Sequence, residues 1–189
     1  MQKTNKIIVY IVGCVSFILL LFFSNSIICL FKDNNFSNNT IDLDNHKNDT
    51  VYFSLDDIYC QGDIFDSIDV NGWAFCESAI DNSNKEVYII ILNDESQYMC
   101  KVKLIKRGDV VQTFRDKYKI AGIHHGISDT VSTVGVKSGI YKLYIYCKEN
   151  DENYGLVDTG LMLKKDAKGI SEYKWESTKT NISTHVEHL

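Results

Sequence analysis

From Ile7 to Phe31 no side chain carries a charge, and Ile7 to Phe23 is apolar apart from Tyr10, Gly13, Cys14 and Ser16. A helix over this run measures about 37 Å at about 1.5 Å per residue, enough to cross a hydrocarbon layer of about 30 Å with some tilt. The run therefore predicts a single transmembrane helix, and any folded domain has to be built from the residues after it. Lys3 and Lys6 precede the run, whereas Lys32 after it stands against Asp33, Asp42 and Asp44. That asymmetry puts the amino terminus in the cytoplasm and everything after Phe31 outside. A cleaved secretory signal is the rival reading, with Ser24-Asn25-Ser26 as its small-residue site. The apolar run, however, exceeds the roughly 7 to 15 residues of a usual signal core. The expectation is a cytoplasmic amino terminus and signal-anchor over residues 1–31, with the lipid bilayer as partner through residues 7–31. The rest of the chain is expected to lie outside the cell membrane.

The remaining length suits one domain. Lys32 to Thr50 is rich in Asn and Asp and has no hydrophobic period, so residues 32–50 read as a disordered tether. Ala167 to Leu189 is also polar, with scattered apolar residues, and reads as a mostly disordered tail. The folded domain is then 51–166. A net charge of −5 gives no concentrated basic excess and argues against a nucleic-acid partner.

Inside the domain, apolar residues recur with period two. Tyr141, Leu143, Ile145 and Cys147 share one strand face, and Lys142, Tyr144, Tyr146 and Lys148 share the other. Tyr98, Cys100, Val102 and Leu104 alternate likewise, and Asn93-Asp94-Glu95-Ser96 predicts a turn joining that strand to Glu86–Leu92. Val87-Tyr88-Ile89-Ile90-Ile91-Leu92 is apolar on both faces, which predicts a central strand covered by another element. The cover expected is a short helix over Val110–Lys119, where Val110, Val111, Phe114 and Tyr118 form a stripe and Asp109 and Gln112 form a capping box. In Ile68–Phe75 the apolar parity changes, and a bulge at Asn71-Gly72 would return Trp73 and Phe75 to the face of Ile68 and Val70. Further strands are expected around Val51–Leu55, Ile123–Ile127 and Leu156–Leu163. Together these elements predict a mainly β fold: an antiparallel β-sandwich of immunoglobulin-like class with one short helix, preceded by a transmembrane helix.

Gly72-Trp73-Ala74-Phe75, Arg107-Gly108-Asp109-Val110 with Phe114, and Gly139-Ile140-Tyr141-Lys142-Leu143-Tyr144-Ile145 carry a resemblance. They resemble a β-sandwich module found beside membrane segments in envelope proteins of Gram-positive-type bacteria, over roughly Tyr52 to Leu163. The resemblance implies a fold and an extracytoplasmic setting. It carries no catalytic residues and leaves the ligand open.

Tyr144 and Tyr146, on the polar strand face beside Lys142 and Lys148, suit the apolar faces of sugar rings and make this face the expected binding site. Lys101 and Lys103, with Lys106 and Arg107, form a basic patch able to hold a phosphate-bearing wall polymer. Cys60, Cys76, Cys100 and Cys147 all lie in the expected exported domain and allow three pairings; Cys100 and Cys147, both projecting from core faces, could bridge if their strands meet. Arg107-Gly108-Asp109 has a structural job as a helix start with a local ion pair. His124 and His125 are adjacent and cannot both ligate one metal from a regular strand. Asp56, Asp57, Asp63, Asp66 and Asp69 read as a solvated acidic face. No nucleophile elbow, metalloprotease helix or phosphate loop is present in the sequence. The expectation is accordingly a binding module without cofactor, metal or catalytic residues, whose ligand is an envelope glycan or a protein. The alternative is an accessory subunit of a membrane-embedded envelope complex.

Overall fold

A computed structural model describes residues 12–19, 34–38, 50–62, 66–77, 85–149 and 153–174. Among these the chain is mainly β. Nine strands, β1 (Val51–Gln61), β2 (Ser67–Cys76), β3 (Glu86–Leu92), β4 (Gln97–Lys101), β5 (Leu104–Ile105), β6 (Gly126–Ser132), β7 (Gly139–Lys148), β8 (Tyr154–Asp166) and β9 (Gly169–Glu172), form two antiparallel sheets. One sheet has the order β1-β2-β6-β5 and the other β4-β3-β7-β8-β9. Two short helices, α1 (residues 12–19) and α2 (Gly108–Tyr118), complete the described elements.

The period-two pattern becomes the shared core. Tyr141, Leu143, Ile145 and Cys147 of β7 and Val87, Ile89 and Ile91 of β3 point inward from one sheet. Ile68, Val70, Ala74 and Cys76 of β2 meet them from the other. Each fully buried aliphatic side chain of this kind contributes about 1.5–3 kcal/mol by leaving water. The β3–β4 hairpin forms as expected, Leu92 pairing with Gln97. Its turn is held by Asn93, whose Oδ1 accepts from the main-chain N–H groups of Glu95 and Ser96 and from the Ser96 hydroxyl.

The parity change in β2 has a different cause from the expected bulge. β2 pairs with β6 in unbroken register from Ser67 to Trp73, and the irregularity lies in β1, between Leu55 and Asp57, opposite Gly72 and Asn71. Gly72 permits it: a Cβ there would stand 2.1 Å from the Ser54 carbonyl oxygen. Trp73 and Phe75 therefore stay on the outer face, and α2 covers them. Phe75 is fully buried between Tyr52, Trp73 and Phe114, with ring centroids at 5.4, 5.6 and 5.6 Å. The helix was expected over β3. It instead joins β5 to β6, both in the four-stranded sheet, and so returns across that sheet's own outer face.

The start of α2 also differs. Arg107 occupies the N-cap position without a side-chain cap bond. Asp109 lies within the first turn, because its carboxylate is taken by the Arg107 guanidinium, at 2.9 Å from Nε and 2.8 Å from Nη2. The expected strand from Tyr98 to Ile105 is divided. Val102 N–H donates to Val87 in one sheet, while the Lys103 carbonyl accepts from Ser128 in the other, so the chain changes sheets between them. The strand expected from Ile123 begins only at Gly126.

Two segments read as tether and tail reach into the domain. Asn35 bridges to Ser132 and Ser37 to Met99, one contact on each sheet, with Phe36 buried in the core between them. At the other end, β9 pairs with β8, and Ile170 enters the core. The turn between β8 and β9 requires Gly169, whose φ is +120° and whose Cβ would meet Asp66 Oδ1 at 2.4 Å. Both additions were missed because two or three apolar residues in a polar string are too few to show a period. Residues 32–33 and 39–49 of the expected tether and 175–189 of the expected tail lie outside the described residues.

Of the expected anchor, residues 12–19 are helical, with Val12, Val15, Phe17, Ile18 and Leu19 exposed. No helix among the described residues is long and apolar enough to cross a membrane. Residues 7–11 and 20–31 lie outside the described set.

Replacing Phe75 by Ala is expected to lower stability by about 3–5 kcal/mol, the range for emptying an aromatic core site. Urea unfolding followed by tryptophan fluorescence measures this, and a loss below about 1 kcal/mol would contradict the packing under α2.

Candidate functional site

The face expected to bind is the outer surface of the five-stranded sheet. β7 turns Lys142, Tyr144 and Tyr146 outward, as the alternation predicts, but not to equal depth. Lys142 is exposed and Tyr144 is half-buried. Tyr146 retains only 7% exposure, packed beside Tyr88 at 5.9 Å and Tyr154 at 6.3 Å between ring centroids. Alternation within one strand specifies the face of a side chain. Depth depends on what neighbouring strands place beside it, and here β3 and β8 both supply tyrosines. Tyr146 is thus part of the sheet's own packing rather than an open platform.

Tyr144 is the tyrosine of β7 left for contact. Burial and the charge of Asp158, its cross-strand neighbour, hold its hydroxyl proton more tightly than usual. Asp158 is exposed and also accepts from Gly160 N–H at 2.8 Å. Further along the face, Tyr88 donates to Glu86 Oε2 at 2.8 Å and is pushed up to about 12 by burial and by that carboxylate. Lys101 pairs with the same Glu86 carboxylate.

The expected basic patch is divided by this pairing. Lys101 and Lys103 are both exposed, but Lys101 is neutralised by Glu86, and Lys103 lies in the crossing to the other sheet, its N–H donating to Asp129 at 2.8 Å. Arg107 is taken by Asp109 and, through Nη1, by Asp56 at 2.8 Å. The acidic stretch is dispersed too: Asp66 pairs with Lys165, and Asp69 accepts from Gln61 and Thr130. Asp56 and Asp57 are exposed, and Asp63 lies outside the described residues.

The expected Cys100–Cys147 disulfide does not form. β3 runs between β4 and β7, with Ile89 facing Cys100 on one side and Ile145 on the other. Two strand spacings separate the cysteines by about 10 Å or more, beyond the roughly 7 Å that a bridge tolerates between Cα atoms. Both are free thiols. Burial pushes the Cys100 thiol up to about 12.

Sequence reasoning missed a polar cluster buried between the ends of the two sheets. Lys85, immediately before β3, and Glu149, immediately after β7, have side-chain exposures of 0% and 2%. The Lys85 ammonium has three acceptors for its three protons: the Ala74 carbonyl at 2.6 Å, His125 Nδ1 at 2.9 Å and Glu149 Oε1 at 3.3 Å. His125 Nε2 stands 2.9 Å from the Ala121 carbonyl, which can only accept, so Nε2 carries the hydrogen and the Nδ1 lone pair receives the ammonium. Burial and then the Lys85 charge lower the His125 pKa to about 4, against a smaller raising effect from the Ala121 bond. His124, its neighbour, is exposed, so the two histidines diverge as expected. Lys85 and Glu149 sit in polar strings that read as solvated turns.

Cys76 and Cys147 adjoin this cluster. The Cys147 thiol faces Glu149 Oε1 at 3.7 Å, and Glu149 Oε2 has no hydrogen-bond partner. Cys76 Sγ, Cys147 Sγ and a Glu149 oxygen lie within 4.8 Å of one another. Two sulfurs and a carboxylate could serve a zinc-like cation, but the Lys85 ammonium already occupies the carboxylate and opposes a second positive charge. Comparisons of the chain with family models, curated proteins and solved structures find no match.

His125 makes stability depend on pH. Its folded pKa of about 4 is below the ordinary imidazole value of 6.5, so its contribution is fully present above about pH 6.5. That contribution, on the order of 3 kcal/mol, is lost as pH falls through about 4. The difference between parent and His125→Gln stability, from urea unfolding at successive pH values, should shrink across this window. A difference independent of pH would contradict the neutral, buried imidazole.

Proposed function

We propose that this chain is an immunoglobulin-like β-sandwich recognition module, held at the outer side of a cell membrane by the apolar segment around residues 7–31. It binds an envelope polysaccharide on the outer face of its five-stranded sheet. The observation that carries this reading is Tyr144: a half-buried ring opposite the exposed Asp158 on the neighbouring strand, with exposed Lys142 on the same face. A ring held flat in a sheet offers an apolar surface to a sugar, and charged groups at its rim can meet the hydroxyls. The reactive side chains that come together elsewhere, Lys85, Glu149, His125, Cys76 and Cys147, are all sealed from solvent, which supports recognition rather than catalysis.

One observation favours an accessory role in a membrane complex. α1 exposes Gly13, Cys14 and Ser16, small residues of the kind that let membrane helices approach closely. A stoichiometric protein partner recovered from solubilised membranes, without polysaccharide retention, would select that role.

Tyr144→Ala should weaken retention on purified envelope polysaccharide roughly tenfold, equivalent to about 1.4 kcal/mol, with little change in melting temperature. Lys142→Ala should weaken it less. Tyr146→Ala is expected to destabilise the fold instead, because that ring is buried. Equal retention by Tyr144→Ala and the parent would remove the polysaccharide reading.

A further inference from the structure

Cys76 ends β2 in one sheet, and Cys147 lies one residue before the end of β7 in the facing sheet. Both thiols are fully buried, and their sulfurs lie within 4.8 Å. Cys76 Sγ also stands 3.5 Å from the main-chain oxygen of Cys147, so one side chain already reaches the backbone of the other. The sheets are therefore close at this end. A disulfide needs its sulfurs at about 2.05 Å, and changing the χ1 rotamer of one or both cysteines supplies a movement of that size. Among the described cysteines of the two sheets, competing partners are remote. Cys100 is on the far side of β3 from Cys147. Cys60 pairs with Ile68, about 26 Å along β2 from Cys76 at about 3.3 Å per residue.

We propose that Cys76 and Cys147 form an inter-sheet disulfide when the chain folds in the presence of a disulfide-bearing oxidant. Two S–H bonds break and one S–S bond forms. Two protons and two electrons pass to the oxidant, whose own disulfide becomes two thiols. The thiolate of one cysteine first attacks the oxidant to give a mixed disulfide, and the second displaces it. Since both sulfurs are sealed in the finished fold, the exchange takes place while the sheets are closing, and a chain folded under reducing conditions resists later oxidation. The bridge closes a sequence separation of 71 residues and should raise stability chiefly by restricting the unfolded chain. It lies beside the Lys85 cluster, so the covalent bond and the Lys85 hydrogen bonds to Ala74 and His125 tie the same ends of the two sheets. This inference stands apart from polysaccharide binding, which needs only the outer face.

The test is refolding of the full-length chain in mild detergent with an oxidised and reduced glutathione couple and a metal chelator, beside a fully reduced control. Free thiols are then blocked with N-ethylmaleimide in denaturant, and the digest is read by mass spectrometry. The expected result is a Cys76–Cys147 linked peptide, maleimide on Cys60 and Cys100, and a melting temperature above that of the reduced control. Cys147→Ala should leave Cys76 alkylated and abolish the difference between the two samples. The peptide readout of the parent stands whether or not that variant folds. Maleimide on both Cys76 and Cys147 after oxidative refolding, or a bridge from either to any of the other four cysteines, Cys14, Cys29, Cys60 and Cys100, would overturn the proposal.

Discussion

An ammonium group can remain charged inside a protein only if each of its protons meets an acceptor, because an unpaired buried charge costs several kcal/mol. Lys85 meets this condition through one acceptor from each of three places: the main chain of β2, the imidazole just before β6, and the carboxylate that follows β7. The first two belong to the four-stranded sheet and the third to the five-stranded sheet. Apolar packing across the core is non-directional and would tolerate small displacements of one sheet on the other. The three fixed bonds at Lys85 do not, and they set the relative position of the strand ends that carry Ala74, Cys76, Cys147 and Glu149.

The opposite margins are stitched by different means. Phe36 is inserted between β4 and β6 by a bridge to each sheet, and β9 brings Ile170 under the margin nearest β1. The outward faces then take on separate tasks. On the four-stranded sheet, Trp73 and Phe75 are covered by α2, so that surface is consumed by folding. On the five-stranded sheet the tyrosines pack against one another, which leaves Tyr144, Lys142 and Asp158 to meet solvent. A recognition role fits this division, since the groups with reactive chemistry lie inside and an aromatic ring with charged neighbours lies outside.

Much of the fold was legible in the sequence because strand alternation is a direct record of which side faces water. The inward set of β7 and the β3–β4 hairpin follow from period two and one Asn-rich turn. The errors arise where the deciding information lies on another strand. A parity change at Gly72 has two solutions, a bulge in β2 or a second buried face, and only the position of α2 selects the latter. Tyr146 was assigned to the correct face and the wrong depth for the same reason, its cover being Tyr88 and Tyr154. Asp109 has the residue type of a helix cap but is claimed by Arg107. Lys85, Glu149 and His125 were illegible as a group, since they stand 40 and 24 positions apart in order along the chain and meet only when the sheets close.

The central claim is that Lys85, paired with Glu149 of its own sheet, carries the bonds to Ala74 and His125 that join the two sheets, so the joint depends on that ion pair. A double-mutant cycle with Lys85→Met, Glu149→Leu and the combined variant, read by urea unfolding, tests it most directly. Each single change strands a buried charge and should cost about 3–5 kcal/mol, whereas the combined change should cost clearly less than their sum. Additive effects, each below about 1 kcal/mol, would contradict the account.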